Sequence, residues 1–205
     1  ALREAGIVFM FAPLMPPAMK HAGPVRRELA IPTVMNIVGP LANPARAGRQ
    51  VIGVAEARRL PLMAAALAAL GAEHAMVVHG EPGLDEISPL GPTRVLEIRG
   101  GTVAEWTIDP KRLGIGAVSA DDLAGGSPED NARVITEVLG GGGTRGAAAA
   151  VVLNAAAALY VGAVTRSFDE GVDVAREALS AGVGLDALRR LQRAYAPAAT
   201  TPSAP

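Results

Sequence analysis

The segment from residue 49 to residue 80 constrains the fold more than any other part of the chain. The runs "RQVIGVA" (49–55) and "HAMVVHG" (74–80) have the length and apolar content of β-strands. Between them, "PLMAAALAAL" (61–70) has helical composition, with Pro61 in its first turn and Gly71 after its end. This order predicts a parallel or mixed sheet flanked by helices, an α/β fold in which ligands bind beyond the carboxyl ends of the strands.

Other stretches predict further strands. The runs "RVLEIRG" and "GTVAEWTI" meet at Gly100 and Gly101 and predict a β-hairpin. Near the start, "IVFMFA" (7–12) is an apolar run of strand length that follows "ALREAG", a segment typical of the last turns of a helix. Pro13, Pro16 and Pro17 then predict a loop.

Helices are predicted in the second half of the chain. Ser127 before a proline and acids is a typical helix start, and Ser167 with Glu170 matches a capping box. The apolar run 147–161 is interrupted by Asn154 and is too short for a membrane span, so it predicts a buried helix. A last helix is predicted at 185–195. Residues 1–195 are therefore expected to form one partial α/β domain, and residues 196–205 are expected to form a loose tail.

Composition excludes several functional classes. Half of the 205 residues are apolar, enough to bury a core. A net charge of −1 disfavours nucleic-acid binding, and the lack of cysteine excludes disulfides and thiolate metal sites. No secretory signal precedes the first strand, which favours a cytoplasmic protein with no membrane contact.

The stretch "VVHGEPGLDEIS" (77–88) carries the main candidate site. It runs from a strand into a turn in which Gly80 and Gly83 permit tight geometry, and it then places Asp85 beside Glu86. Two adjacent carboxylates at a carboxyl edge suit Mg²⁺, which is commonly shared between protein carboxylates and substrate phosphates. Taken alone, the dipeptide is better explained as two solvated acids in a surface turn.

Three other motifs have ordinary explanations. The run "GGGGTRG" (140–146) follows a helix and lacks the residue order of a P-loop, so it is interpreted as a linker. The three histidines, His21, His74 and His79, lack zinc-ligand spacing and are expected at the surface or at strand ends. The cluster Lys20, Arg26 and Arg27 fits a solvated basic face, unless one arginine turns inward to hold a carboxylate.

Several ordered motifs together resemble one enzyme family. "NIVGPLANPA" (36–45) is preceded by "FAPLMPPAMKHAGPVRREL" and followed by "VVHGEPGLDEIS", "GGSPEDNA" and "VVLNAAAALYVG". In this order they closely resemble the anthranilate phosphoribosyltransferases of tryptophan biosynthesis. The resemblance implies the large α/β domain of a nucleoside phosphorylase/phosphoribosyltransferase-like fold, with Mg²⁺ as cofactor and anthranilate and phosphoribosyl pyrophosphate as substrates.

The same resemblance assigns roles to individual residues. Asp85 and Glu86 match the family's metal-binding acidic pair, and Arg26 matches the arginine that holds the anthranilate carboxylate. Gly39 and Pro40 match the loop that lines the path of anthranilate. No residue is identified as a general base, and a homodimer is expected for the complete protein.

The chain also departs from the family pattern. Neither the family's Gly-Thr-Gly-Gly-Asp loop nor its Lys-His-Gly-Asn segment occurs in the 205 residues, and Pro16 stands where many members carry histidine. The chain is therefore expected to be a carboxy-terminal portion that lacks the small helical domain and is nearly inactive alone. Two alternatives stay open: a non-catalytic remnant or binding protein of the same fold, and a pyrimidine nucleoside phosphorylase-like transferase.

Overall fold

The sheet in the first part of the chain is mixed. A computed structural model describes residues 1–10, 39, 41, 43 and 45–195. Strands β1 (Arg49–Gly53) and β2 (His74–Gly80) are parallel, and β2 also pairs antiparallel with β3 (Thr93–Arg99), which pairs antiparallel with β4 (Thr102–Ile108). The spatial order is β1-β2-β3-β4. The strand, helix, strand prediction and the predicted hairpin are both confirmed.

Helices flank this sheet and complete the described part of the chain. The described α-helices are α1 (Leu2–Ala5), α2 (Leu60–Ala69), α3 (Pro128–Leu139), α4 (Arg145–Val161), α5 (Phe168–Ser180) and α6 (Val183–Tyr195). Short 3₁₀ turns lie at Ala57–Arg59, Pro110–Leu113 and Ala120–Leu123. None of the described helices has the length and apolar content needed to cross a lipid bilayer.

Two apolar cores lie on opposite faces of β2. Because side chains alternate along a strand, Met76 and Val78 pack with α4 and α5, whereas Ala75 and Val77 pack with α2. The helix α4 contributes Leu153, which is fully buried, to the first core. Because β2 is buried on both of its faces, its sequence is a nearly continuous apolar run rather than an alternation of apolar and polar residues.

The helix starts follow the chemistry of their first residues. Ser127 caps α3 through a full capping box with Asp130, which satisfies backbone groups that the first turn would leave unpaired. Ser167 caps α5 by accepting from the amide of Glu170. The Glu170 side chain returns to the amide of Arg166 rather than to that of Ser167, so this capping box is only half formed.

One expectation from the sequence is wrong over its described residues. Residues 7–10 are not in a strand: Phe9 is 67% exposed, and no described strand pairs with this segment. His74 lies at a strand end, as expected; it is buried there, and its Nε2 lies 2.8 Å from Glu97 Oε1 on β3. The predicted tail at 196–205 and the predicted loop at 13–17 lie outside the described residues.

Candidate functional site

The acidic pair lies in the loop that joins β2 to β3, next to the carboxyl end of β1. Asp85 and Glu86 are both exposed, and they follow Gly80, the last residue of β2. Since β1 and β2 are parallel, their carboxyl ends meet at one edge of the sheet. The predicted position of the pair, at the edge where α/β proteins bind ligands, is therefore found in the structure.

Two glycines allow this loop to lie directly on the strand ends. A Cβ atom added to Gly53 would lie 1.5 Å from the backbone oxygen of Asp85, and one added to Gly80 would lie 2.5 Å from the backbone oxygen of Glu86. Both distances are far below any real contact, so glycine is required at both positions by close approach. Of the two glycines predicted to permit the turn, only Gly83 has a positive φ, of 129°.

The acidic pair is bracketed by two anchored residues. On its amino-terminal side, Leu84 exchanges backbone hydrogen bonds with Gly80, at 2.9 Å and 2.7 Å. On its carboxy-terminal side, the amide N–H of Ile87 donates to Asn154 Oδ1 at 3.0 Å, and Asn154 Nδ2 donates to the Ile87 carbonyl at 3.0 Å. Asp85 and Glu86 are thus a two-residue span between fixed points.

The rest of the loop is held by its own polar groups. The amide of Ser88 donates to Thr93 Oγ1 at 2.9 Å, and the Ser88 hydroxyl donates to the Glu81 carbonyl. Ser88 and Thr93 are both fully buried, and the amide of Glu81 donates to the Pro92 carbonyl at 2.9 Å. Because its buried polar groups are satisfied, the loop has a defined conformation that presents the two carboxylates to solvent.

The two carboxylates differ from Glu56, an acid that follows β1 at the same edge. Among the described residues, no salt bridge or side-chain hydrogen bond involves Asp85 or Glu86. Glu56, which follows β1, instead accepts from Arg58 Nε at 2.8 Å, and this hydrogen bond is the main cause that lowers the pKa of Glu56. Glu56 is therefore already neutralised by arginine, whereas the pair has oxygens free for a ligand.

The donor set of the pair fits a hard divalent cation. Carboxylate oxygens are the protein ligands that Mg²⁺ prefers, and Mg²⁺ commonly takes one or two of them and completes its shell with water and phosphate oxygens. Within residues 1–10, 39, 41, 43 and 45–195, no cluster of three or more His, Cys, Asp or Glu side chains could enclose a metal. The pair suits an open site that a substrate completes, rather than a closed structural metal site.

The other residues assigned by resemblance are largely outside the described part of the chain. Arg26 and Pro40 lie outside it, as do His21, Lys20, Arg27 and Pro16. Gly39 is described and exposed, and a Cβ added there would meet no described atom within 4 Å. The roles predicted for Arg26, Gly39 and Pro40 therefore stay predictions.

Two structural partners of the acidic loop were missed from the sequence. Asn154 was recognised only as a polar interruption of an apolar run, and Gly53 only as part of a strand. An amide side chain in the middle of an apolar helix is a signal that could have been used, because a half-buried amide needs hydrogen-bond partners. No local pattern marks Gly53, whose neighbour is 32 residues away along the chain.

Comparison with known proteins gives one family. Residues 1–185 match the family model described as "Glycosyl transferase family, a/b domain". The chain is 50% identical over 194 residues to the anthranilate phosphoribosyltransferase of Thermomicrobium roseum, a match that covers 93% of this chain and 56% of that protein. The chain thus spans about half the length of the curated relatives it matches.

Solved structures agree with this match. The crystal structure of anthranilate phosphoribosyltransferase from Thermus thermophilus is 41% identical, with a TM-score of 0.82 over 92% of this chain and 55% of that one. The Saccharomyces cerevisiae enzyme, in complex with PRPP and Mg, is 30% identical with a TM-score of 0.72, covering 85% and 49% of the two chains. The chain therefore belongs to the glycosyl transferase family that this a/b domain defines.

Proposed function

We propose that this chain forms the metal-binding part of an anthranilate phosphoribosyltransferase. Such an enzyme transfers phosphoribosyl from phosphoribosyl pyrophosphate to anthranilate and releases pyrophosphate. The observation that carries the proposal is the acidic pair itself: two exposed carboxylates without a described partner, fixed at the carboxyl edge of the sheet. The names of the relatives in Thermomicrobium roseum and Thermus thermophilus support the choice of substrates.

In this proposal Asp85 and Glu86 hold Mg²⁺ against the pyrophosphate of the substrate. The loop fixes the backbone of the pair, so little ordering is required when the metal and the substrate bind. An Mg²⁺ ion held by Asp85 and Glu86 would supply positive charge for the pyrophosphate leaving group. The yeast relative solved with PRPP and Mg supports the choice of ion.

The second substrate needs positioning rather than activation. An aromatic amine is neutral at pH 7, so its nitrogen can attack the ribose carbon without first losing a proton. After the new bond forms and pyrophosphate leaves, the cationic nitrogen releases one proton to water. Arg26 is proposed to hold the anthranilate carboxylate through two parallel hydrogen bonds, with Gly39 and Pro40 in the wall of its path. A homodimer and a cytoplasmic location stay predictions for the complete protein.

A transfer assay on two proteins tests the proposal. One is the 205-residue chain alone, and the other, called the joined protein below, is this chain joined to the unmatched part of the Thermomicrobium roseum relative. We expect the joined protein to consume anthranilate and release pyrophosphate in equal amounts. The chain alone should do so at a small fraction of that rate, because it lacks the family's glycine loop for pyrophosphate.

The assay also separates the remaining alternatives. If the joined protein instead reacts a nucleoside with inorganic phosphate and releases the free base, the result would favour the nucleoside phosphorylase-like transferase. A folded joined protein that binds a substrate but performs neither reaction would favour a binding protein and overturn the proposal. The Thermomicrobium roseum relative assayed in parallel serves as the positive control.

A further inference from the structure

The roles assigned to the site residues do not explain why an asparagine stands at position 154. It lies in the middle of α4, 67 residues beyond Ile87, and it is the one polar side chain between Ala147 and Leu159. A helix that buries its apolar side chains in the core does not need an amide there. Its contacts on the acidic loop indicate why it is present.

The side-chain amide of Asn154 pairs with the backbone of Ile87 as a neighbouring strand would. Its oxygen accepts the Ile87 N–H, and its nitrogen donates both to the Ile87 carbonyl and, at 2.9 Å, to the Ala150 carbonyl within α4. The amide orientation is determined by these partners, since the opposite orientation would face donor with donor and acceptor with acceptor. Ile87 is thereby held through both of its backbone polar groups.

Only Glu86 and Asp85 separate this anchor from the one at Leu84. The Ile87 side chain is fully buried in the same core as Leu153, and the amide of the next residue, Ser88, donates to Thr93 Oγ1. The Asn154 contacts add a hydrogen bond to each polar group of the Ile87 backbone, and they further restrict the direction in which the chain leaves Ile87 toward the carboxylates. Helix α4 therefore holds the backbone of the residue that directly follows the acidic pair.

We infer that Asn154 is a positioning residue for the metal-binding function of Asp85 and Glu86. The inference rests on the proposed function for its catalytic consequence, but its structural part stands on the contacts of Ile87. Without the amide, the Ile87 N–H and C=O lose their partners, and the loop gains conformations in which the two carboxylates no longer address one ion.

The test uses Asn154→Ala and a control on the same helix. Alanine has high helix propensity, so the substitution preserves α4 and deletes only the amide. Val161→Ala is the matched control: Val161 is buried in the same core, about two helical turns beyond Asn154, and its removal weakens packing rather than the contacts of the loop. Asn154→Leu is the second variant, which keeps the number and branching of the side-chain heavy atoms and removes all three hydrogen bonds of the amide.

Two measurements are made on each variant. In the 205-residue chain, amide hydrogen exchange at residues 85–88 should accelerate by about 10-fold or more in Asn154→Ala relative to Val161→Ala, as expected for two lost hydrogen bonds. In the joined protein, the Mg²⁺ concentration for half-maximal transfer should rise by about 10-fold, while the Michaelis constant for anthranilate changes little. A residue that only stabilises the fold would not separate these two constants.

The outcomes distinguish this inference from the proposed function. Exchange that is no faster in either Asn154 variant than in Val161→Ala overturns the inference, whether or not the protein has transferase activity. Faster exchange with an unchanged Mg²⁺ requirement in an active joined protein also overturns it. If the unsubstituted joined protein is inactive, the proposed function fails, and faster exchange at residues 85–88 still supports the positioning of the loop by Asn154.

Discussion

The backbone oxygen of Asp85 lies against the Cα atom of Gly53, so closely that a Cβ atom at residue 53 would come within 1.5 Å of it. Gly53 is the last residue of β1 and Asp85 belongs to the loop after β2. The contact therefore joins the carboxyl ends of two parallel strands. It makes the position of the acidic pair depend on the absence of a side chain at residue 53.

Gly53→Ala should displace the acidic loop. The new methyl group must move the Asp85 backbone by more than about 1 Å, which is expected to lower the free energy of unfolding by about 1–3 kcal/mol and to raise the Mg²⁺ requirement of the joined protein. Urea denaturation of the 205-residue chain and Mg²⁺ titration of the joined protein measure the two effects.

Gly48→Ala is the control for this substitution. Its added Cβ would lie 3.6 Å from the Glu73 Cβ, an ordinary contact, so it should leave the Mg²⁺ requirement unchanged. An equal Mg²⁺ requirement in Gly53→Ala and Gly48→Ala would contradict the importance of this contact.

Local patterns predicted the elements of the fold but not their long-range contacts. The β2 strand, the hairpin at Gly100 and Gly101 and the caps at Ser127 and Ser167 depend on neighbouring residues, and the structure contains each of them. The apolar run at residues 7–10 was misread because its length fits a strand, while pairing depends on a partner that the described structure does not supply.

The candidate site was predictable only in part, for the same reason. Asp85 and Glu86 could be placed because they directly follow a strand whose carboxyl edge was predictable. The amide of Asn154 in an apolar helix indicates that it needs partners but not which ones, since Ile87 is 67 residues away and becomes a neighbour only when α4 packs on β2. Long-range packing, which local propensity does not encode, brings them together.

Arg26→Lys should weaken anthranilate binding if Arg26 holds the substrate carboxylate. Lysine keeps the charge but cannot form two parallel hydrogen bonds, so the Michaelis constant for anthranilate should rise by about 10-fold or more with a smaller change in turnover. Steady-state kinetics of the joined protein measure this. Arg27→Lys is the matched control, and a larger effect there would mean that Arg27 rather than Arg26 binds the carboxylate.

Tyr160→Phe should destabilise the chain in a pH-dependent manner. The Tyr160 hydroxyl donates to Glu97 Oε1 at 2.8 Å, and burial, followed by Glu97, raises the pKa of Tyr160. Because the pKa of Tyr160 is raised in the folded state, folding favours the neutral phenol. The contribution of the Tyr160 hydroxyl to the free energy of unfolding is therefore fully present below the unfolded pKa of about 10, and it is lost as pH rises through the folded pKa.

Tyr160→Phe should lower the free energy of unfolding by about 1 kcal/mol at pH 7, and this difference from the wild type should shrink above about pH 10. Urea denaturation at several pH values measures it. Tyr195→Phe is the control, because the Tyr195 hydroxyl donates to the backbone carbonyl of Phe9 rather than to a carboxylate, and Tyr195 is 55% exposed. A difference between wild type and Tyr160→Phe that grows above about pH 10 would contradict the role of Glu97.

The acidic pair is tested most directly by the double substitution Asp85→Ala and Glu86→Ala in the joined protein, with Mg²⁺ varied at saturating phosphoribosyl pyrophosphate. Both side chains are exposed, so the circular dichroism spectrum and the free energy of unfolding should change little. Turnover should fall by about 100-fold or more, the scale on which loss of preorganised electrostatic stabilisation slows a reaction, and the remaining rate should respond weakly to Mg²⁺. A double variant that keeps the wild-type turnover and Mg²⁺ dependence would contradict the assignment of the metal site to Asp85 and Glu86.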